Sequence, residues 1–180
     1  MDVDTLVTQC IEAVAESQPR KAVRSVLDRA LSGGQLARAL GDPVSGLNLL
    51  YRSKDLTVLN VVWPPRMCLF PHDHRMWAAI GIYGGREDNS FFRRQGSGIV
   101  ASGGKSLAEG DVLLLGDDAI HSVENPVRAH TGAIHVYGGD FFAVPRSQWS
   151  SESQMEEPYD VEAVRHQFEL AERQSETTTD

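Results

Sequence analysis

The chain has 180 residues, 41% of them hydrophobic and 23% charged, and a net charge of −8. That length and apolar content suit one compact domain with its own core, and the acidic balance argues against nucleic acid or an anionic membrane as partner. No apolar run reaches membrane-spanning length, the first residues (MDVDTLVTQC) lack the regions of a secretory leader, and the two cysteines, Cys10 and Cys68, predict no disulfide framework, so the expected compartment is the reducing cytoplasm.

Residues 1–46 read as helical. Leu6, Val7, Cys10, Ile11 and Val14 recur at helical spacing after a cap at Asp2 or Asp4. A second helix starts at Pro19, carries Val23, Val26, Leu27, Ala30 and Leu31 on one face, and stops at Gly33-Gly34. A short segment from Gln35 to Leu40 follows, ending at Gly41-Asp42-Pro43. This region predicts a helical cover over a sheet and carries no chemistry of its own.

From Leu47 the period changes. Leu47 to Ser53 and Leu56 to Trp63 are β-branched and aromatic runs separated by Lys54-Asp55, which predicts a hairpin. Pro64-Pro65 interrupts the ladder before the chain re-enters at Leu69. Further strands are predicted at 77–83, 89–94, 99–101, 112–115, 120–124 and 131–142. Turns are expected at Gly84-Gly85, Gly96-Ser97-Gly98, Gly103-Gly104 and Glu109-Gly110-Asp111. Many short strands with glycine-rich turns point to an all-β sandwich or barrel. After Pro145 the chain turns polar; one amphipathic helix, with Val161, Val164, Phe168 and Ala171 on a face, precedes a tail, SETTTD, that reads as disordered.

The stretch PHDHRMWAAIGIYGG, 71–85, carries the chemistry. Along a strand, alternate side chains share a face, so His72 and His74 point the same way and can hold one metal ion if a third ligand arrives. His121, in GDVLLLGDDAIHSVEN, is the candidate third ligand. Three neutral imidazoles would leave the full dipositive charge on the metal and so favour an anionic ligand from substrate. Such a set suits catalytic zinc as well as iron.

These segments resemble the cupin motifs. Residues 66–85 resemble the first, G-x5-HxH-x3,4-E-x6-G, with His72, His74 and Gly85 in place, Arg66 at the leading glycine, and Ala78 and Ala79 at the glutamate. Residues 110–125 resemble the second, with Gly110, His121 and Asn125 matching and Gly116-Asp117-Asp118 in place of PxG. Loss of the glutamate is similar to the cysteine dioxygenase branch, in which three histidines alone hold iron. That family's late-strand His-x-Tyr pair is matched by His135-Val136-Tyr137, although Ala133 stands where the family has a serine. The spacing from Trp63 to His72 is also similar, and the likeness spans roughly residues 45–145.

The resemblance implies a cupin double-stranded β-helix, a jelly-roll barrel over 47–145, with N-terminal helices over 1–46 and a C-terminal helix and tail over 146–180. It implies an Fe(II)-dependent thiol dioxygenase, with dioxygen and a small thiol (cysteine, 3-mercaptopropionate or similar) as partners, acting as a monomer or small homo-oligomer. His72, His74 and His121 would hold the metal, and Tyr137 and His135 would be catalytic. Arg52, with Tyr51 and Trp77, would bind substrate. Arg52 also reads as a surface arginine beside Ser53-Lys54-Asp55, and Trp77 as a cavity wall or core aromatic. Ala79 stands at the family's cross-linking cysteine, so no thioether to Tyr137 is expected. A metal-dependent cupin acting on a non-thiol substrate, and a non-catalytic cupin that binds a small molecule, remain the alternatives.

Overall fold

A strand that buries both of its faces must lie between two other layers, and the run at 57–63 does so. The computed structural model describes residues 1–150 and 155–177. The chain opens with α1 (Val3–Val14), α2 (Pro19–Leu31), a 3-10 turn (Ser32–Gly34) and α3 (Gln35–Leu40). The strands are β1 (Gly46–Arg52), β2 (Thr57–Trp63), β3 (Cys68–Asp73), β4 (Ala78–Gly84), β5 (Arg86–Gln95), β6 (Gly98–Ala108), β7 (Val112–Leu115), β8 (Ile120–Glu124) and β9 (Thr131–Tyr137). Then come β10 (Ser147–Trp149), β11 (Glu156–Pro158) and α4 (Val161–Thr177).

The strands form a five-stranded sheet, ordered β1-β2-β9-β4-β7, and a six-stranded sheet, ordered β11-β10-β3-β8-β5-β6. Every pairing is antiparallel. From β2 onward the chain crosses from sheet to sheet at almost every connection, which winds it into a double-stranded β-helix. The predicted architecture is the observed one, with helices before and after the barrel.

Parity along each strand decides which layer a side chain joins. In β2, Leu59, Val61 and Trp63 face the interior between the sheets, while Val58 faces α1 and α2. In β9, Ala133 and Tyr137 face inward, and Ile134 and Val136 face the helices. Leu6, Cys10, Val23 and Leu27 seal that outer layer with no exposure. Truncating Leu27 to alanine there would cost about 2–5 kcal/mol. From the other end, α4 sends Val164 and Phe168 into the interior, and Phe168 stacks on Trp63 with ring centroids 5.1 Å apart. Trp63 is thereby fixed at the floor of the barrel.

Gly85 makes the crossing from β4 to β5 possible. Its φ is +81°, and a Cβ there would collide with Thr131. The Thr131 hydroxyl donates to the Arg86 carbonyl and accepts from the Arg86 amide, which pins the start of β5.

Four local expectations are corrected. Gly103-Gly104 is not a turn but lies within β6, where it accommodates a register shift opposite Phe91 and Phe92. The last barrel strand ends at Tyr137 rather than Phe142, because Gly138 and Gly139 follow. The polar stretch after Pro145 contains β10 and β11, which alternation over three residues is too short to reveal. The helix continues through Thr177 into the tail expected to be disordered, whose remaining residues, 178–180, lie outside the described ones. Cys10 and Cys68 are free, and no described helix is long and apolar enough to cross a membrane.

Candidate metal centre

β3 and β8 are neighbours in the six-stranded sheet, and their register sets His72 directly opposite His121. His74 follows the end of β3 by one residue and points to the same face as His72. All three are buried, with relative exposures of 4% or less. Their ligating nitrogens lie within 4.8 Å of one another, and they form the one group of three or more such side chains among the described residues able to hold a metal.

The nitrogens that converge are the Nε2 atoms. Nε2 of His74 is 3.2 Å from that of His72 and 3.4 Å from that of His121. A metal–nitrogen bond of about 2.1 Å with angles between about 90° and 110° places ligand nitrogens roughly 3.0–3.4 Å apart. Both separations are those of adjacent ligands on one face of an ion. The opposite ring nitrogens support it: Nδ1 of His72 donates to the Phe70 carbonyl at 3.0 Å, and Nδ1 of His121 donates to Asn89 Oδ1 at 2.7 Å. With the proton held on Nδ1, Nε2 is left with its lone pair, the form a metal needs. His74 is the exception, since its Nδ1 has no partner among the described residues; its ring is set by packing against Tyr137 and Phe141.

Charge follows the same logic. Burial lowers the pKa of all three histidines, that of His72 to about 4, and the Arg146 guanidinium adds to the shift of His72 and His74. Three neutral imidazoles result, a donor set suited to zinc, iron, copper or nickel. No carboxylate joins them. The intervening Asp73 points away: its Oδ1 accepts from the Ser147 amide at 2.8 Å, and its Oδ2 lies 2.7 Å from Arg75 Nε and 3.4 Å from Arg94 Nη2.

Tyr137 and His135 reach the histidines from the five-stranded sheet. Their side chains share the inward face of β9, with His135 Nδ1 3.1 Å from the Tyr137 hydroxyl. The Tyr137 ring meets that of His74 at 4.9 Å, edge to face. Burial pushes the Tyr137 phenol well above its ordinary pKa, so the hydroxyl keeps its proton.

The remaining expected site residues lie elsewhere. Arg52 forms a two-pronged pair with Asp140, at 2.8 and 3.0 Å, and stacks over Phe142 at 5.2 Å. Phe142 touches Phe141, and of these two only Phe141 touches His74, so two phenyl rings separate Arg52 from the cluster. Tyr51 and Trp77 pack into the layer between the five-stranded sheet and the helices. Trp77 shares the parity of Ala79, not of Ala78, and so turns its ring away from the barrel interior. The structure does not bring Arg52, Tyr51 or Trp77 to the histidines.

Arg146, which the sequence did not single out, does reach them. It is 8% exposed, and its guanidinium is sandwiched between the rings of Phe141 and Tyr159 at 3.9 and 4.0 Å. Tyr159 in turn packs against His72 at 5.6 Å, and Phe141 against Tyr137 at 4.5 Å. Nη1 donates to the Phe141 carbonyl, while Nε and Nη2 are buried with no hydrogen-bond partner among the described residues. Those two nitrogens form one edge of the guanidinium fork, the edge that grips both oxygens of a carboxylate. Asn89, which accepts from His121, was missed as well, as was Glu87, which accepts from Asn89 Nδ2. The visible signal was a polar pair at i and i+2 on a strand whose alternate residues face the core.

No family model matches the chain. Among solved structures, it is similar to oxalate decarboxylase from Bacillus subtilis, at 16% identity and a TM-score of 0.42, over 51% of this chain and 22% of that one. It is similar to a conserved double-stranded β-helix protein from Klebsiella pneumoniae, at 17% identity and a TM-score of 0.42, over 56% of this chain and 75% of that one. A cupin of the RmlC-like family from Methanocaldococcus jannaschii matches at 10% identity and a TM-score of 0.44, over 57% of this chain and 86% of that one. The chain thus spans under a quarter of the length of the oxalate decarboxylase it matches. The class of protein defined by fold and site is a double-stranded β-helix with a buried three-histidine cluster able to hold a metal.

Proposed function

We propose that this protein is an iron(II)-dependent thiol dioxygenase that converts a small thiol bearing a carboxylate into its sulfinic acid. The observation that carries the reading is the charge pattern around the three histidines. Three neutral imidazoles converge without a carboxylate, and the nearest buried cation, Arg146, has an open two-pronged edge. Neither the converging nitrogens nor that edge carries negative charge, and a substrate with a thiolate and a carboxylate supplies it at both points.

His72, His74 and His121 would hold the metal, which would supply Lewis acidity and a common point of attachment for thiolate and dioxygen. Arg146 binds the carboxylate through Nε and Nη2, and its sandwich between Phe141 and Tyr159 fixes the direction of approach. Tyr137 faces the reacting region with a neutral hydroxyl and stabilises charge that develops there. His135 holds that hydroxyl in place. The overall reaction balances without a further reductant: RSH and O2 give RSO2H, sulfur losing four electrons and dioxygen gaining them.

Oxygen uptake by iron-loaded protein with cysteine, 3-mercaptopropionate and cysteamine tests the reading. One dioxygen should be consumed per carboxylated thiol, with a sulfinate product two oxygens heavier by mass. Metal-loaded protein that consumes no oxygen with any of these thiols would remove the proposal.

A further inference from the structure

The least expected side chain in the barrel is Glu87. It is fully buried, on the inward face of β5, and its only ion-pair neighbour among the described residues is a histidine. Its Oε2 accepts from Trp63 Nε1 at 2.8 Å, and its Oε1 accepts from Asn89 Nδ2 at 2.9 Å. The same Oε2 lies 3.5 Å from His135 Nε2, which has no hydrogen-bond partner among the described residues. Asn89 turns its other end to His121, where Oδ1 accepts from Nδ1.

We propose that Glu87 is the positioning residue of the metal centre. Through Asn89 it fixes the His121 tautomer that presents a bare Nε2 to the metal, and its carboxylate faces the ring that holds Tyr137. The inference rests on the metal-binding reading of the three histidines and not on thiol chemistry. Its logic is a chain of donors and acceptors. Trp63 Nε1 can only donate, and a carboxylate can accept from both Trp63 and Asn89. Asn89 must then present its amide nitrogen to Glu87 and its oxygen to His121, so His121 must carry its proton on Nδ1. The carboxylate that the ligand set lacks thus stands one layer behind it, where it directs a ligand instead of binding the ion. Partners at this remove commonly change metal affinity ten- to hundredfold.

Glu87→Gln reverses the chain while preserving shape. The oxygen of the new side chain must accept from Trp63, so its amide nitrogen faces Asn89. Asn89 then turns its oxygen towards that amide and its nitrogen towards His121. The His121 proton moves to Nε2, the atom that should ligate. Adding Asn89→Asp repairs this, because a carboxylate there accepts both from the introduced amide and from His121.

The tests are the histidine tautomers, read by 15N NMR on metal-free protein, and zinc affinity, read by chelator competition. Wild type should show His121 protonated on Nδ1. E87Q should show it on Nε2, with zinc affinity lowered about ten- to hundredfold. The E87Q/N89D protein should recover the wild-type tautomer and most of the affinity. Wild-type His121 protonated on Nε2 would overturn the proposal without any variant, as would an E87Q protein with unchanged tautomer and affinity. Should these predictions hold in a protein that oxidises no thiol, Glu87 keeps its role and only the proposed reaction falls.

Discussion

The Tyr137 hydroxyl lies 3.1 Å from Nδ1 of His135, and the Tyr137 ring lies 4.9 Å from that of His74, so one phenol links a fourth histidine to the three-histidine cluster across the barrel interior. Tyr137→Phe keeps the packing and removes only the hydroxyl. Turnover should fall by about one to two orders of magnitude, the lower end for loss of one positioned donor, while metal content stays at the wild-type level. Unchanged turnover in both Tyr137→Phe and His135→Ala would reduce the pair to a packing role.

Metal retention should depend equally on each converging histidine. His72→Ala, His74→Ala and His121→Ala each leave two nitrogens, too few to close the set, and metal per chain after dialysis should drop close to zero. His130→Ala is the control. That histidine pairs with Glu172 at 3.0 Å near α4, and its loss should leave metal content unchanged.

Arg146 and Arg52 make opposite predictions for substrate binding. Arg146→Gln should raise the KM for a carboxylated thiol about ten- to hundredfold, the equivalent of losing about 1.5–3 kcal/mol of charged hydrogen bonding. The same change should leave a thiol without a carboxylate unaffected. Arg52→Ala should change neither KM, since Asp140 already occupies its fork. A larger effect from Arg52 than from Arg146 would reverse the assignment.

Tyr137 should carry no thioether. Ala79, at the position matched to the cross-linking cysteine of cysteine dioxygenases, pairs with Val136 and packs towards the helices, on the sheet face opposite the Tyr137 ring. Cys68 is exposed on β3. Intact mass should equal the sequence mass, and a cross-linked Tyr137 peptide would contradict this.

Acid should loosen the β10–β11 hairpin. The Arg94 hydrogen bond, aided by Ser147, holds the Glu156 carboxyl down to about 2 from an ordinary 4.5. A depressed carboxyl stabilises the folded state above its unfolded value, and that contribution fades as pH falls from about 4.5 towards 2. Trp149, 1% exposed beneath Arg94, reports the change by fluorescence. Glu156→Gln should flatten the response in this window.

The ligands were legible because the relevant physics is local. His72 and His74 share a face by strand parity alone, and a single later histidine in a strand–turn–strand setting completes the set. The helices were legible from Leu6, Cys10, Val23 and Leu27, whose spacing matches the face they bury. The substrate side was not. Whether Trp77 faces in or out turns on one residue of register, which neighbouring strands fix and local pattern does not. Glu87 lay just outside the strand predicted from Asn89, and burying a carboxylate contradicts the composition rule that guides such a reading. Arg146 sits in an irregular segment held by Asp73 from a distant strand, a contact no periodicity encodes.

Asp73 sits between two of the converging histidines, yet its carboxylate grips the amide of Ser147, the residue that follows Arg146. Strain at an ion held by the histidines would therefore reach the segment that carries Arg146, and a pull on that segment would return to the histidines. Loading one end stiffens the other: metal-filled protein should protect the Ser147 amide from hydrogen exchange more than empty protein does, before any substrate arrives.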